Sequence, residues 1–531
     1  MSLKKMAALA SAFVLFAGFA QAQTTGEIYG KVTDKSGGVV PGVTVTLTSP
    51  ALIQPQTAVT GATGVYRFPR ITIGVYVVKF ELSGFTTIVR DGVRLEIGQN
   101  AQINASLDVS SMQEVVTITG EAPLIDTRNT GRITSFNNEA LQNIPSARDP
   151  WVIMQQSAGI IVDRENIGGN MSGQQSGYVA RGTPSTQSKW VLDGIDITDM
   201  AALASPVYYD FDAFEEMNIS TGGADVTMQS PGVGINIMTK SPTDRFKGSA
   251  RYLVTDEKYQ STNVTTDLRR LGASSGNPIQ NIKDYGAEVG GPIIKGKLFA
   301  WGSMGIQDIN VGVNGFFLRN AGCDAAVRNA AGAVLPAAQL ADVNFETIKG
   351  CLATDLTKLV TYNAKVTYQP ARNTTFSLFF NAAKKDRNAR DASDLRPLET
   401  AFRQGAVIDE SLGSKLWKIG IPKTYKASVR RVFSDRFMME FQYAHVGNNF
   451  TLDFQDPALG AIQSTFEIAS GLWGRSFQAS QFVRPTNSFD ITGTRSSSGF
   501  LGGDHAIKFG VRYRQDRAIS KNHRGGNVEA R

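Results

Sequence analysis

The stretch that decides the fold reads YVARGTPSTQSKWVLDGIDITDM at 178–200, FEEMNISTGGAD at 214–225 and SPGVGINIMTK at 230–240. It holds an Arg181-Gly182 turn, then an apolar run ending Leu192-Asp193-Gly194-Ile195. Asp193-Gly194 between apolar flanks is a tight-turn signal, because Gly accepts φ > 0 and Asp bonds its own backbone. Gly232 and Gly234 lead into Ile235-Asn236-Ile237-Met238, which reads as a turn feeding a half-buried strand. Alone, these features predict a small α+β domain with several hairpins. Arg181 and Asp193 are candidates either for a buried pair or for two separate turn caps, since spacing does not decide pairing.

Beyond this stretch the period becomes two. Phe246, Gly248, Ala250, Tyr252 and Val254 alternate with Lys247, Ser249, Arg251, Leu253 and Thr255. The alternation returns at Tyr362–Gln369, Phe437–Ala444 and Ile507–Arg514. One apolar and one polar face suit a barrel wall between lipid and a wet lumen. Short turns at 294–296, 370–373 and 433–435 separate long polar stretches at 256–282, 309–360, 384–423 and 447–486. That short–long alternation matches periplasmic turns and extracellular loops. Nine barrel strands are expected, the last heading outward. Closed bacterial barrels have even strand numbers, so the barrel is expected to be incomplete here. The absence of a terminal aromatic residue points the same way.

The order of four elements, RG, WVLDGID, FEEMNI and GxGINIMTK, resembles the plug domain of TonB-dependent outer-membrane receptors. The motif residues are Arg181, Gly182, Leu192, Asp193, Gly194, Gly232, Gly234 and Asn236. From Thr24 to about Asp108, short strands separated by Gly and Pro turns predict a β-sandwich. Gly30, Val32, Asp34, Pro41, Gly42, Val43 and Val45, followed by Thr60, Gly64, Tyr66, Phe68, Gly74 and Tyr76, resemble the carboxypeptidase regulatory-like domain. Peptidase chemistry fails on inventory. A zinc site needs His and carboxylate ligands, and the three histidines, His445, His505 and His523, lie far downstream.

Between sandwich and plug, Glu114-Val115-Val116-Thr117-Ile118-Thr119-Gly120 is short and β-prone. It is similar to a TonB box, an extended peptide captured by strand addition. A last sandwich strand or a plain linker is the alternative. At the N-terminus, Lys4-Lys5, the apolar Met6–Phe19 and Ala20-Gln21-Ala22 form a secretory leader, with the mature chain beginning at Gln23. Cys323 and Cys351 are the two cysteines. In an exported protein they fit a disulfide stapling one outer loop, contributing about 3–4 kcal/mol by loop closure; two free thiols are the other option.

The fold class is therefore mainly β. A leader (1–22) precedes a sandwich (23–110), a linker with the box-like segment (111–129), an α+β plug (130–243) and the N-terminal part of a large transmembrane antiparallel barrel (244–531). The whole mature chain resembles the Oar-like branch of TonB-dependent transporters. That implies an outer-membrane location with the sandwich in the periplasm. It also implies energy-coupled uptake of an oligosaccharide, peptide or metal chelate, and a TonB-type inner-membrane complex as partner. A structural or adhesive surface protein displaying its loops is the alternative function. Outer-membrane lipid is a further partner. Nucleic acid is not, because the net charge of +7 is scattered rather than striped. No nucleophile–base or metal-ligand spacing stands out, so neither catalysis, a cofactor nor a metal is expected.

Overall fold

The computed structural model describes residues 25–52, 54–110, 115–119, 131–202, 208–223, 228, 230–273, 276–392, 401–405, 423–434, 436–474, 478–500, 503–527 and 529–530. The expected leader, Glu114 and Gly120 lie outside them.

The first region is a two-sheet sandwich. One sheet has β1 (Gly26–Asp34) between β4 (Val65–Ile71) and β7 (Asn100–Gln102), with β8 (Ala105–Leu107) also along β1. The other runs in the order β3 (Gln56–Val59), β2 (Thr44–Thr48), β5 (Gly74–Glu81), β6 (Thr87–Leu95) and β9 (Val115–Thr119). Alternate residues of β2, β4 and β5 point inward, burying Val45, Leu47, Tyr66, Phe68, Val78 and Phe80. The Tyr66 hydroxyl stays satisfied by donating to Ile103 O at 2.7 Å. A buried tyrosine needs such a partner for its polar end.

The second region carries a five-stranded sheet in the order β10 (Arg132–Asn137), β16 (Phe214–Gly222), β17 (Gly234–Thr239), β14 (Lys189–Leu192) and β15 (Ile195–Asp196). A small sheet of β11 (Ile160–Val162), β12 (Tyr178–Ala180) and β13 (Thr183–Pro184) adjoins it. Two helices precede these: α1 (Asn138–Asn143), capped by Asn137, and α2 (Pro150–Gln155), capped by Asp149 with Pro150 at its first position. Proline fits there because that N–H has no helical partner. Trp151, Ile153, Trp190, Leu192, Phe214 and Ile237 share one core. Phe379, Ala383, Ala444 and Val446 of the surrounding wall complete it.

That wall is an antiparallel meander of nine long strands: Lys247–Asp256, Ile279–Ile294, Leu298–Phe317, Leu352–Ala371, Thr374–Arg390, Lys423–Ser434, Phe437–Val446, Thr486–Phe500 and Gly503–Asp516. Among the described residues the ninth pairs with the eighth alone, and the sheet does not close. The alternation holds through the wall. Tyr362 and Tyr368 are exposed on one face while Asn363 and Lys365 are buried on the other. On the seventh strand Phe441 is exposed, and Met438, Glu440, Gln442 and Ala444 are buried. Aromatic pairs fall in two bands. Tyr368–Phe376 and Phe433–Phe437 sit by the short turns, Tyr425–Tyr443 and Tyr443–Phe489 at the opposite level. Two aromatic girdles flank the apolar band of membrane barrels.

The strands run further than the alternation predicts. Ile309–Phe317 and Leu352–Val360, expected as loop, continue the ladder through pairs such as Ile309↔Thr357 and Val311↔Asp355. A membrane crossing uses about 9–11 residues, and these strands have 20 each. Beyond a crossing of that length both faces would meet water or protein, so pairing continues while the apolar signal fades. The long connection after Phe317 is itself folded. Three short helices pack around Phe317, Val327, Ile348 and Leu352, with Cys323 and Cys351 disulfide-bonded at a Cα separation of 5.5 Å.

Candidate functional site

The tight turn of the deciding stretch sits at the centre of the plug–wall contact. Asp193 (φ +46°) and Gly194 (φ +81°) both adopt left-handed backbone between β14 and β15. This is the type I′ hairpin geometry, which demands φ > 0 at both central positions. The turn presents the Asp193 carboxylate sideways. Thr239 donates to it through N–H (3.2 Å) and through its hydroxyl. Lys365 of the fourth wall strand donates to it at 3.1 Å, and also to Thr239 O and Ser241 Oγ. Lys426 donates to the Asp193 backbone oxygen. Lys365 and Asp193 are both deeply buried, so this ion pair is shielded from water and its geometry matters.

Arg181 is elsewhere. It is exposed, with φ +49°, and its Nη1 donates to Thr221 O at 3.3 Å. Of the two readings left open for Arg181 and Asp193, a mutual pair does not form, because Lys365 takes the aspartate and β12 points the arginine away. Gly182 (φ +86°) completes the Arg181 turn. Gly232 lets the chain pass Gln187, whose carbonyl oxygen would lie 2.3 Å from any Cβ there. Gly234 and Asn236 pair with Lys189 and Val191 in the parallel β14–β17 ladder, and Leu192 is fully buried beside them.

A second ionic cluster joins plug and wall, and nothing in the sequence pattern announced it. Arg148 contacts Asp212 (2.5 Å) on the plug and Asp284 (2.8 Å) on the second wall strand. Arg251 of the first wall strand contacts Asp210 (2.7 Å), Asp212 (2.5 Å) and Asp284 (2.8 Å). Its members are up to 136 residues apart, so only the folded barrel unites them.

The sandwich seats beneath plug and wall. Ile97 N–H donates to Glu216 Oε1 (2.9 Å) and Asn218 donates back to Ile97 O (3.1 Å). Ile73, Ile97 and Met238 form a small apolar contact beside these bonds. Burial pushes the Glu216 carboxyl up to about 7, against the lowering effect of bonds from Ile97 N–H and the Ser135 hydroxyl. From β4, Arg70 reaches Glu440 (3.6 Å) on the wall, while Gln54 donates to Gly296 O (2.8 Å) at a short turn.

Val115, Val116, Thr117, Ile118 and Thr119 form β9, parallel to β6 in the register Thr87↔Val115 to Asp91↔Thr119. β9 is the edge of its sheet. Val115 and Val116 are exposed, and Ile118 packs on the sandwich core.

Residues 27–108 match the carboxypeptidase regulatory-like domain family, and residues 126–234 match the TonB-dependent receptor plug domain family. The outer-membrane transporter YddB of Escherichia coli shares the fold with a TM-score of 0.51 at 10% identity, over 73% of this chain and 48% of that one. The ferripyoverdine receptor of the Pseudomonas aeruginosa outer membrane, bound to ferripyoverdine, gives 0.47 at 15% identity over 79% and 48%. Sandwich, plug and nine-stranded wall together have the architecture of TonB-dependent outer-membrane receptors. The TonB-dependent transporter Oar of Myxococcus xanthus is 32% identical over 290 residues, 53% of this chain. Over these regions the chain is similar to TonB-dependent receptors of the Oar type. The match spans about a quarter, 26%, of that relative's length.

Proposed function

We propose that the protein is an energy-coupled import receptor. Its extracellular loops and plug apex take a ligand such as an oligosaccharide, peptide or metal chelate. A TonB-type inner-membrane complex captures the segment from Glu114 to Gly120 and draws on the plug. In this scheme residues 23–110 are the periplasmic sandwich, 111–129 the coupling linker, 130–243 the plug and 244–531 the barrel part. The observation that carries the proposal is β9 itself, a solvent-exposed edge strand with one apolar anchor, placed between sandwich and plug. Backbone groups held in one parallel ladder can be passed to another at little net cost, because bonds lost to β6 are replaced by bonds to the partner. Ligand binding then favours the state in which β9 is free.

A second reading has the same observation on its side. As a paired edge strand, β9 equally suits a sandwich that only displays itself beneath a surface protein. The test is capture of the detergent-solubilised chain by an immobilised periplasmic domain of TonB. Proline removes an N–H and fixes φ. Val116→Pro is therefore expected to weaken capture by about tenfold or more, a loss of roughly 1.4 kcal/mol. Wild-type protein that is not captured at all would favour display. Equal capture of wild type and variant would remove the coupling role from this segment.

A further inference from the structure

Arg70 holds the sandwich to the wall from a strained backbone. Its φ of +50° is left-handed, a conformation that residues with a long side chain rarely adopt. Such a residue persists only where its surroundings over-determine it, and it points to a functional constraint. Here the surroundings are three wall strands. The buried guanidinium donates from Nη1 to Thr492 Oγ1 (3.4 Å) on the eighth strand and sets Nη2 3.6 Å from Glu440 Oε2 on the seventh. Arg430 of the sixth strand donates back to Arg70 O at 3.4 Å. Arg430 Nε also lies 3.4 Å from Glu440 Oε2, so one carboxylate oxygen serves both arginines.

The same carboxylate faces the anchor of the plug. Arg70, Arg430 and Glu440 line a cavity of about 160 Å³ together with Lys426, Lys365 and Asp193. Lys426 donates to Asp193 O and stands in the field of both the Asp193 and the Glu440 carboxylates. Among the described residues lining this cavity, those two are the carboxylates. Both are buried, where charges act on one another more strongly than at a surface. A continuous ionic chain therefore runs from the plug (Asp193) through Lys426 and Glu440 to the sandwich (Arg70).

We propose that this chain is a relay through which the position of the plug sets how firmly the sandwich is held to the wall. It rests on the import reading above, in which the plug moves, and adds the regulation of the periplasmic domain. With Asp193 seated, Lys426 is balanced on the plug side and Glu440 is left to Arg70 and Arg430. Once the plug withdraws Asp193, Glu440 is the carboxylate that remains for Lys426, and Lys426 turns to it. Arg70 then shares its carboxylate oxygen with one more cation, and the sandwich comes away from the wall. By linkage the reverse holds, and a docked sandwich favours the seated plug.

The test measures docking on the detergent-solubilised full chain. Spin labels are placed at Ala62→Cys on the sandwich and Ala371→Cys on a short turn, both exposed, the two native cysteines being joined to each other. Double electron–electron resonance reads their separation. Wild type is expected to give one narrow distance. Arg70→Gln is expected to add a longer, broad population, a shift of about tenfold in the docking equilibrium. Asp193→Asn is expected to do the same from the plug, and to do nothing in a Lys426→Met background, where the link is missing. A second arm does not depend on the fold of Asp193→Asn. With Trp301, Trp417 and Trp473 replaced by phenylalanine, Trp151 and Trp190 report the urea midpoint of the plug. Arg70→Gln is expected to lower that midpoint, and to leave it unchanged in the Lys426→Met background. Docking that Asp193→Asn leaves as it was, an effect of equal size with Lys426→Met, or a plug midpoint indifferent to Arg70→Gln would overturn the relay. Capture by the TonB domain is measured on the same variants. Capture retained while the relay fails strikes the relay alone; a working relay without capture strikes the import reading alone.

Discussion

Removing one member of the Asp193–Lys365 pair should cost more than removing both. Asp193→Asn keeps the hairpin, because Asn tolerates the left-handed φ of +46° found there. It removes the charge facing Lys365, which is 6% exposed and cannot recover its hydration. Breaking a buried pair from one side costs about 3–5 kcal/mol, whereas replacing both partners by groups of similar shape is often close to neutral. Asp193→Asn and Lys365→Met should therefore each cost about 3–5 kcal/mol, and the double variant no more than either single. With a urea dependence of about 3 kcal/mol per molar, a single variant moves the plug midpoint by about 1 M or more. Trp151 and Trp190, 5.7 Å apart in the plug core, report that transition. The assay uses a background in which Trp301, Trp417 and Trp473 are phenylalanine. If the double variant instead costs the sum of the two singles, the contact carries no coupling and the assignment of Asp193 as the plug's anchor is wrong.

The remaining predictions concern the junction and the outer loop. Glu216 binds its proton up to about pH 7 in the fold, against about 4.5 ordinarily, so the folded state holds a proton that the unfolded state has lost between these values. Stability should fall as pH rises through that window. The loss is about 2–3 kcal/mol, and Glu216→Gln should abolish it and be more stable than wild type at pH 8; urea midpoints at pH 5 and 8 that do not differ in wild type would refute this. Cys323→Ser with Cys351→Ser should loosen the helical loop by about 3–4 kcal/mol through lost loop closure. Limited proteolysis between 318 and 351 should then accelerate with the barrel strands intact, and unchanged cleavage would speak against a staple.

What was legible in the sequence was what local chemistry controls. Asp193-Gly194 named its own turn because only left-handed backbone closes a two-residue hairpin of that twist. The lipid-facing alternation named the wall, and short turns against long polar stretches yielded nine strands. The partner of Asp193 was not legible. Lys365 lies 172 residues away and differs in no local feature from other lumen-facing lysines. The Arg148–Asp210–Arg251 cluster was hidden for the same reason. Val115–Thr119 is a case of a different kind. A five-residue β-prone run is equally a free peptide or a strand, and its parallel pairing with β6 depends on an edge built 28 residues earlier.

That pairing gives a path for force, should the segment be captured as proposed. Thr119 and Arg132 are joined by about a dozen residues, a reach of at most about 45 Å, so tension arrives quickly at β10. β10 is itself an edge strand, laid along β16 from Arg132↔Gly222 to Asn137↔Glu216. Pulled from Arg132 across the ladder, its pairs would open in turn from Arg132↔Gly222 to Asn137↔Glu216. Ser135 leaves with it, and the Ser135 hydroxyl is bonded to both Glu216 and Asn218. Those two side chains are the ones that hold Ile97 of the sandwich. Withdrawal of β10 thus loosens the sandwich from the plug, whereas Asp193, on the far side of β17, keeps its grip on Lys365. The order of release follows from the sheet order: the junction with the sandwich first, the anchor to the wall last.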